Sequence, residues 1–157
     1  MQNLMMSAVQ GDGDAAFQVG YIYETGEGVP QNEKEAIRWY TMGANHGNKQ
    51  AQYNLAVMLE DGRGEPVNLR KAFHWYEKAA EQGEWAAQYN LGLFLINGMG
   101  CDIDLTLAHM WFTVASHQGD SEAIHNRNTV SKHLSPEQLA ISKQWVIDWG
   151  NRPWKKT

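Results

Sequence analysis

Cysteine is nearly absent: Cys101 is the only one in 157 residues. A single cysteine excludes an intrachain disulfide framework and removes the paired thiolates of most structural metal sites. It does not fix the compartment, because secreted chains also do without disulfides. Basic residues are scarce, thirteen Lys and Arg against eighteen acids, for a formal charge of −5. Nothing is basic or clustered enough for a nucleic-acid surface. No stretch approaches the roughly 18 apolar residues of a membrane span, so no membrane insertion is expected. Met1 to Gln10 carries neither a basic n-region nor a long apolar run and does not read as a secretory signal. A cytoplasmic location is therefore favoured, with the periplasm open if the chain is a fragment. Walker-type and dinucleotide glycine motifs are missing, as is a His-Glu-x-x-His pattern. No Ser or Cys stands in a recognisable nucleophile context. No catalytic residue, metal site or cofactor is expected.

What the chain does have is a period. Trp39, Trp75 and Trp111 recur every 36 residues, as do Gly47, Gly83 and Gly119. Gly26 and Gly28 return as Gly62 and Gly64, then as Gly98 and Gly100. Ala36, Ala72 and Ala108 keep the same interval, and so do Tyr40, Tyr76 and Phe112. A fixed period of this length is the mark of a repeat architecture. A 43% hydrophobic content supplies an ordinary core.

Each unit reads as two helices. The first covers about 14–24, 50–60 and 86–96, with Ala15, Val19, Ile22 and Tyr23 at helical spacing in the first unit. A Gly-x-Gly reversal follows. The second helix starts at the N-cap types Asn32, Asn68 and Asp104, and Glu35 completes a capping-box pattern with Asn32. It ends near Gly47, Gly83 and Gly119, in the C′ position. Gly20, Ala56 and Gly92 fall mid-helix, a cost of about 1 kcal/mol for glycine; close approach to Ala36, Ala72 or Ala108 is the expected compensation. The tryptophans are expected in the groove between units as core rather than as a cofactor stripe. Deleting one of them, Trp75, should then cost about 3–5 kcal/mol.

The pattern resembles the Sel1-like repeat (SLR) family, a relative of the tetratricopeptide repeats. The family motif is an Ala followed by a Leu-Gly pair, a Gly-x-Gly turn, then Ala-x-x-Trp-Tyr-x-x-Ala-Ala and a closing Gly. Residues 51–83 read AQYNLAVMLEDGRGEPVNLRKAFHWYEKAAEQG, departing at Ala56; residues 87–119 depart at Phe112 and Ser116. The resemblance implies an all-α fold, a right-handed α/α superhelix or solenoid of 36-residue two-helix repeats. It also implies an adaptor or scaffold without chemistry of its own. Some cysteine-rich relatives are linked to β-lactam binding or hydrolysis, a branch that one cysteine does not fit.

The 157 residues are expected to form one solenoid domain. Residues 1–11 make a half repeat or N-cap, and 12–47, 48–83 and 84–119 are full repeats. Residues 120–157 make a partial repeat and a capping helix. In that last segment Ala123 keeps register with Ala87, but Arg127 falls where Leu91 stood. Ser135, Pro136 and Gln138 start a final helix, with Leu139, Ser142, Val146 and Trp149 on one face. Arg152, Lys155 and Lys156 read as a solubilising end, and the six histidines as exposed and solvated.

The candidate site is the concave face. At about 100° per residue from Ala15, Phe17, Tyr21 and Glu24 point away from the core side marked by Val19. Their equivalents are Tyr53, Val57 and Glu60, then Tyr89 and Leu93. With Asp61 at the polar edge, this row is expected to bind a protein or peptide with aliphatic anchors and some positive charge. Part of the row is also expected to pack between neighbouring first helices. The leading reading is a non-enzymatic interaction module. The alternatives are an immunity or inhibitor protein directed at one toxin or enzyme, and a hydrolase.

Overall fold

The structure is a computed structural model and describes residues 1–156; Thr157 and the Lys156 side chain, part of the expected solubilising tail, lie outside the described residues. Nine α-helices and no strand occur among the described residues. They are α1 (Gln2–Val9), α2 (Gly13–Thr25), α3 (Glu33–Asn45), α4 (Lys49–Asp61), α5 (Leu69–Glu81), α6 (Trp85–Asn97), α7 (Leu105–Ser116), α8 (Ser121–Ser131) and α9 (Pro136–Ile147). Two 3-10 turns follow, Trp149–Asn151 and Pro153–Lys156. No described helix is long and apolar enough to cross a membrane. The chain divides into two compact units, Met1–Glu84 and the remainder from Trp85.

The helix starts follow their caps. Asn32, Asn68 and Asp104 accept hydrogen bonds from the backbone N–H groups of Glu35, Lys71 and Leu107 at 3.1, 3.0 and 3.0 Å. The backbone N–H of each cap donates back to the first helix of its own repeat, to Tyr23, Leu59 and Leu95. These bonds satisfy orphan donors and pin each helix pair. The capping box expected at Asn32 is only half formed. Glu35 turns its carboxylate to the Trp39 indole N–H (3.2 Å) and to Arg38 (3.2 Å). The box at Ser135 and Gln138 is complete. Gly26 and Gly62 close α2 and α4 in the left-handed region, at φ 78° and 73°, which glycine enters without strain.

The mid-helix glycines have a different cause from the expected one. A Cβ on Gly20 would sit 2.6 Å from the Tyr40 ring, and one on Gly92 2.5 Å from Phe112. The aromatic beside the tryptophan, not the alanine, is what presses on the first helix. Tyr40, Tyr76 and Phe112 are fully buried.

In the first unit, Trp39 packs with Ala8, Ala15, Ala16 and Val19, covered by Leu4, Met5, Tyr23 and Met42. In the second, α7 packs against α6, α8 and α9. Trp111 is fully buried, with the rings of Trp149 and Trp154 edge-on at 6.3 and 5.2 Å. Trp75 departs from this pattern and is only half-buried, so the uniform tryptophan core expected from the period is not formed. His109 also departs from expectation. It is 6% exposed, with Nδ1 2.6 Å from the hydroxyl of the fully buried Ser142, which ties α7 to α9. The other five histidines are exposed.

Candidate functional site

The first helices α2, α4 and α6 each carry two of the expected apolar site residues, one turn apart. Phe17, Tyr53 and Tyr89 are half-buried and rest on the aromatic of the second helix. Phe17 stacks on Tyr40 at 5.9 Å, Tyr53 meets Tyr76 at 5.9 Å, and Tyr89 meets Phe112 at 5.8 Å. One turn further on come Tyr21, Val57 and Leu93. Tyr21 is 44% exposed, with its ring 6.4 Å from Phe17. Val57 and Leu93 are half-buried. Within each repeat one aromatic is thus seated on a buried ring, with a second residue one turn on.

The carboxylates are placed less simply. Glu24 accepts the Tyr40 hydroxyl at 2.5 Å and pairs with Arg63 at 3.1 Å. Arg63 also bonds Glu33 at 3.0 Å, so a residue of the second Gly-x-Gly turn staples the first repeat. These two carboxylates hold the Arg63 guanidinium above its ordinary range. Glu60 accepts the Tyr76 hydroxyl at 2.7 Å. Burial, then the bond to Glu24, push the Tyr40 phenol well above its usual range. Both glutamates are therefore engaged by buried tyrosines of their own repeat, and Asp61 is the exposed acid of the set. In the third repeat Ile96 and Phe112 stand at these two positions, so the polar pair is replaced as a pair.

In the second unit, α8 places polar residues beside Tyr89. Tyr89 donates to Glu122 (3.2 Å) and accepts from Asn126 (3.1 Å). Burial, then Glu122, raise the Tyr89 phenol. With Ser121 and His125 these residues line an open hollow of about 430 Å³. The sequence reading stopped at Arg127 and missed them. The signal was present: His125 is 36 residues after Tyr89, and Asn126 is 36 after Asn90. Arg127 itself reaches the Ser116 hydroxyl at 3.4 Å. Cys101 lies beside the Phe94 carbonyl (3.5 Å), and burial raises its thiol, which disfavours the thiolate needed for attack.

Comparison with known proteins agrees with this geometry. The family model for the Sel1 repeat matches residues 13–48, 49–84 and 85–120. Among solved structures, the chain is similar to a Sel1 repeat protein from Oxalobacter formigenes, at 38% identity and a TM-score of 0.74. That match covers 82% of this chain and 96% of the other. It is also similar to c5321, a protective antigen of uropathogenic Escherichia coli strains displaying an SLR fold, at 29% identity and a TM-score of 0.60. There the match covers 98% of this chain but only 42% of the antigen. No curated protein matches significantly. Three consecutive family matches over more than half the residues, on helix pairs that share caps, turns and aromatic seats, place the chain in the Sel1 repeat family.

Proposed function

We propose that this protein is a non-enzymatic interaction module that binds a protein or peptide along its first-helix face, the face expected to be concave. Sel1 repeat proteins are generally protein-interaction modules, and the repeat is typically a non-catalytic scaffold. The observation that carries the finer reading is the aromatic seated on a buried ring in each repeat. Phe17, Tyr53 and Tyr89 each lean on a buried ring, and Tyr21, Val57 and Leu93 lie one turn on. Aromatics are the residues that commonly dominate interface energy. Glu24 and Glu60 serve mainly by holding the tyrosines beneath the face, and Asp61 supplies charge at its edge.

The test uses peptides selected for binding to the wild-type chain. Tyr53→Ala should weaken them by about 2 kcal/mol or more, roughly 30-fold. Asp61→Lys should cost less, and its effect should shrink as salt rises. Both variants must still melt cooperatively. Unchanged affinity in folded Tyr53→Ala and Tyr21→Ala would remove the site from this face.

A further inference from the structure

The second helices of the first unit, α3 and α5, carry matching stripes. Lys34, Arg38 and Thr41 follow one another at i, i+4 and i+7 on α3, and Lys71, Trp75 and Lys78 do so on α5. Three adjoining hollows lie along them. The first, about 420 Å³, is walled by Lys34, Arg38 and Thr41. It shares Thr41 and Glu65 with the second, about 310 Å³, which adds Leu55, Leu59, Lys71, His74 and Trp75. The second shares Trp75 with the third, about 280 Å³, which reaches Lys78. Together they make one groove along the helix pair, with the buried Leu55 and Leu59 as an apolar floor.

The groove has a charge of its own. Four bases line the three hollows, Lys34, Arg38, Lys71 and Lys78, against one acid, Glu65. Arg38 pairs with Glu35 at 3.2 Å, but Lys34, Lys71 and Lys78 are exposed and make no ion pair among the described residues. Glu33, beyond the turn end of the groove, is committed to Arg63 at 3.0 Å. The lining is thus positive in a chain of net charge −5. The repeat does not dictate this. Leu107 and Val114 stand in α7 where α5 has Lys71 and Lys78, and Glu35 and Met42 stand there in α3.

We propose that this groove is a docking site for an acidic peptide segment of a partner protein that carries one aromatic side chain. Its carboxylates meet the three unpaired lysines. Its aromatic enters the middle hollow, whose volume is at the small end of ligand sites, about 300–1,000 Å³, and suits one large side chain. Apolar walls between the charges strengthen the attraction. Glu65, in the walls of two hollows, favours a peptide over a nucleic acid, whose regularly spaced phosphates it repels. The first-helix face is read for a partner with some positive charge, so the two sites answer to probes of opposite charge and fail independently.

The probe is the fluorescein-labelled peptide EDEDWDEDE, followed by fluorescence anisotropy against the whole chain. Saturable binding that weakens as salt rises is expected. Lys71→Glu and Lys78→Glu should each weaken it about tenfold or more, as should EDEDADEDE in place of the probe. Lys132→Glu makes the same charge change at an exposed lysine of the second unit and should alter binding less than about twofold. All three variants replace exposed residues and should melt as the wild type does. No saturable binding overturns the proposal, as do equal losses in the three variants, which reduce the effect to net charge. EDEDADEDE binding as tightly as the probe removes the anchor and also overturns it. A thymidine oligonucleotide that binds more tightly than the probe and is lost in Lys71→Glu assigns the groove to nucleic acid. Self-association that Lys71→Glu abolishes assigns it to a second copy, and either result overturns the partner peptide.

Discussion

The Glu–Tyr pair beneath the first-helix face can be exchanged as a unit, because the third repeat already carries the exchange. In the second repeat the Tyr76 hydroxyl is buried and donates to Glu60 at 2.7 Å. Glu60→Ile alone takes away this charged acceptor, a loss of about 1–3 kcal/mol. Tyr76→Phe alone leaves a half-buried carboxylate without this donor, which costs about 1 kcal/mol given its residual access to water. The double variant Glu60→Ile, Tyr76→Phe rebuilds the Ile96 and Phe112 pair and removes both mismatches at once. A double-mutant cycle should therefore show favourable coupling of about 1–2 kcal/mol. For a chain of this size that is a recovery of roughly 2–8 °C in Tm over the sum of the singles. The assay is thermal and urea unfolding of the four proteins. Single-variant losses that add to within about 0.5 kcal/mol would refute the reasoning, because the hydroxyl and carboxylate would then not be depending on each other.

Two further outcomes follow from the buried residues. Trp111→Ala should cost about 3–5 kcal/mol in chemical denaturation, and Trp75→Ala less, since Trp111 is fully buried and Trp75 only partly. His109 is held below its ordinary value of 6.5 by burial first, then by Arg127 of α8 and Lys143 of α9. The unfolded chain therefore takes up this proton before the folded one does. Its contribution to stability is intact above pH 6.5 and is lost as the pH falls towards the lower folded value. Melts of wild type and His109→Asn between pH 7.5 and 5, on a scale set by that value of 6.5, should show a flatter profile for the variant. Parallel profiles would contradict this placement of the proton.

Much of the fold was legible because it is written three times. Asn32, Asn68 and Asp104 mark helix starts by their chemistry alone, and the Gly-x-Gly pairs mark the reversals. What escaped the sequence depends on neighbours that the period does not specify. Trp75 shares the Ala-x-x-Trp-Tyr pattern of Trp39, yet Lys71 replaces the Glu35 that accepts the Trp39 indole N–H, and Thr41, 34 residues earlier, stands in place of Met5. Glu24 and Glu60 fall on the outward arc of a helical wheel, but side chains of their length bend back to buried hydroxyls. The mid-helix glycines were visible, while the ring pressing on them was not, because the wheel gives a direction and no distance. His109 read as solvated because nothing local announces α9 and Ser142. The polar residues of α8 beside Tyr89 were missed when Arg127 broke the apolar pattern, although His125 and Asn126 stayed in register.

The central claim, that the first-helix face receives a partner, is tested most directly by placing a photo-crosslinking amino acid at single positions. Tyr21, Val57 and Leu93 probe the face, and the exposed Lys34, Lys78 and Lys143 serve as controls away from it. Each variant is irradiated with the selected peptide bound. Crosslinks from Tyr21, Val57 and Leu93, with none from the three lysine positions, are the predicted result. Crosslinks confined to the lysine positions, with silence from the face, would contradict the account.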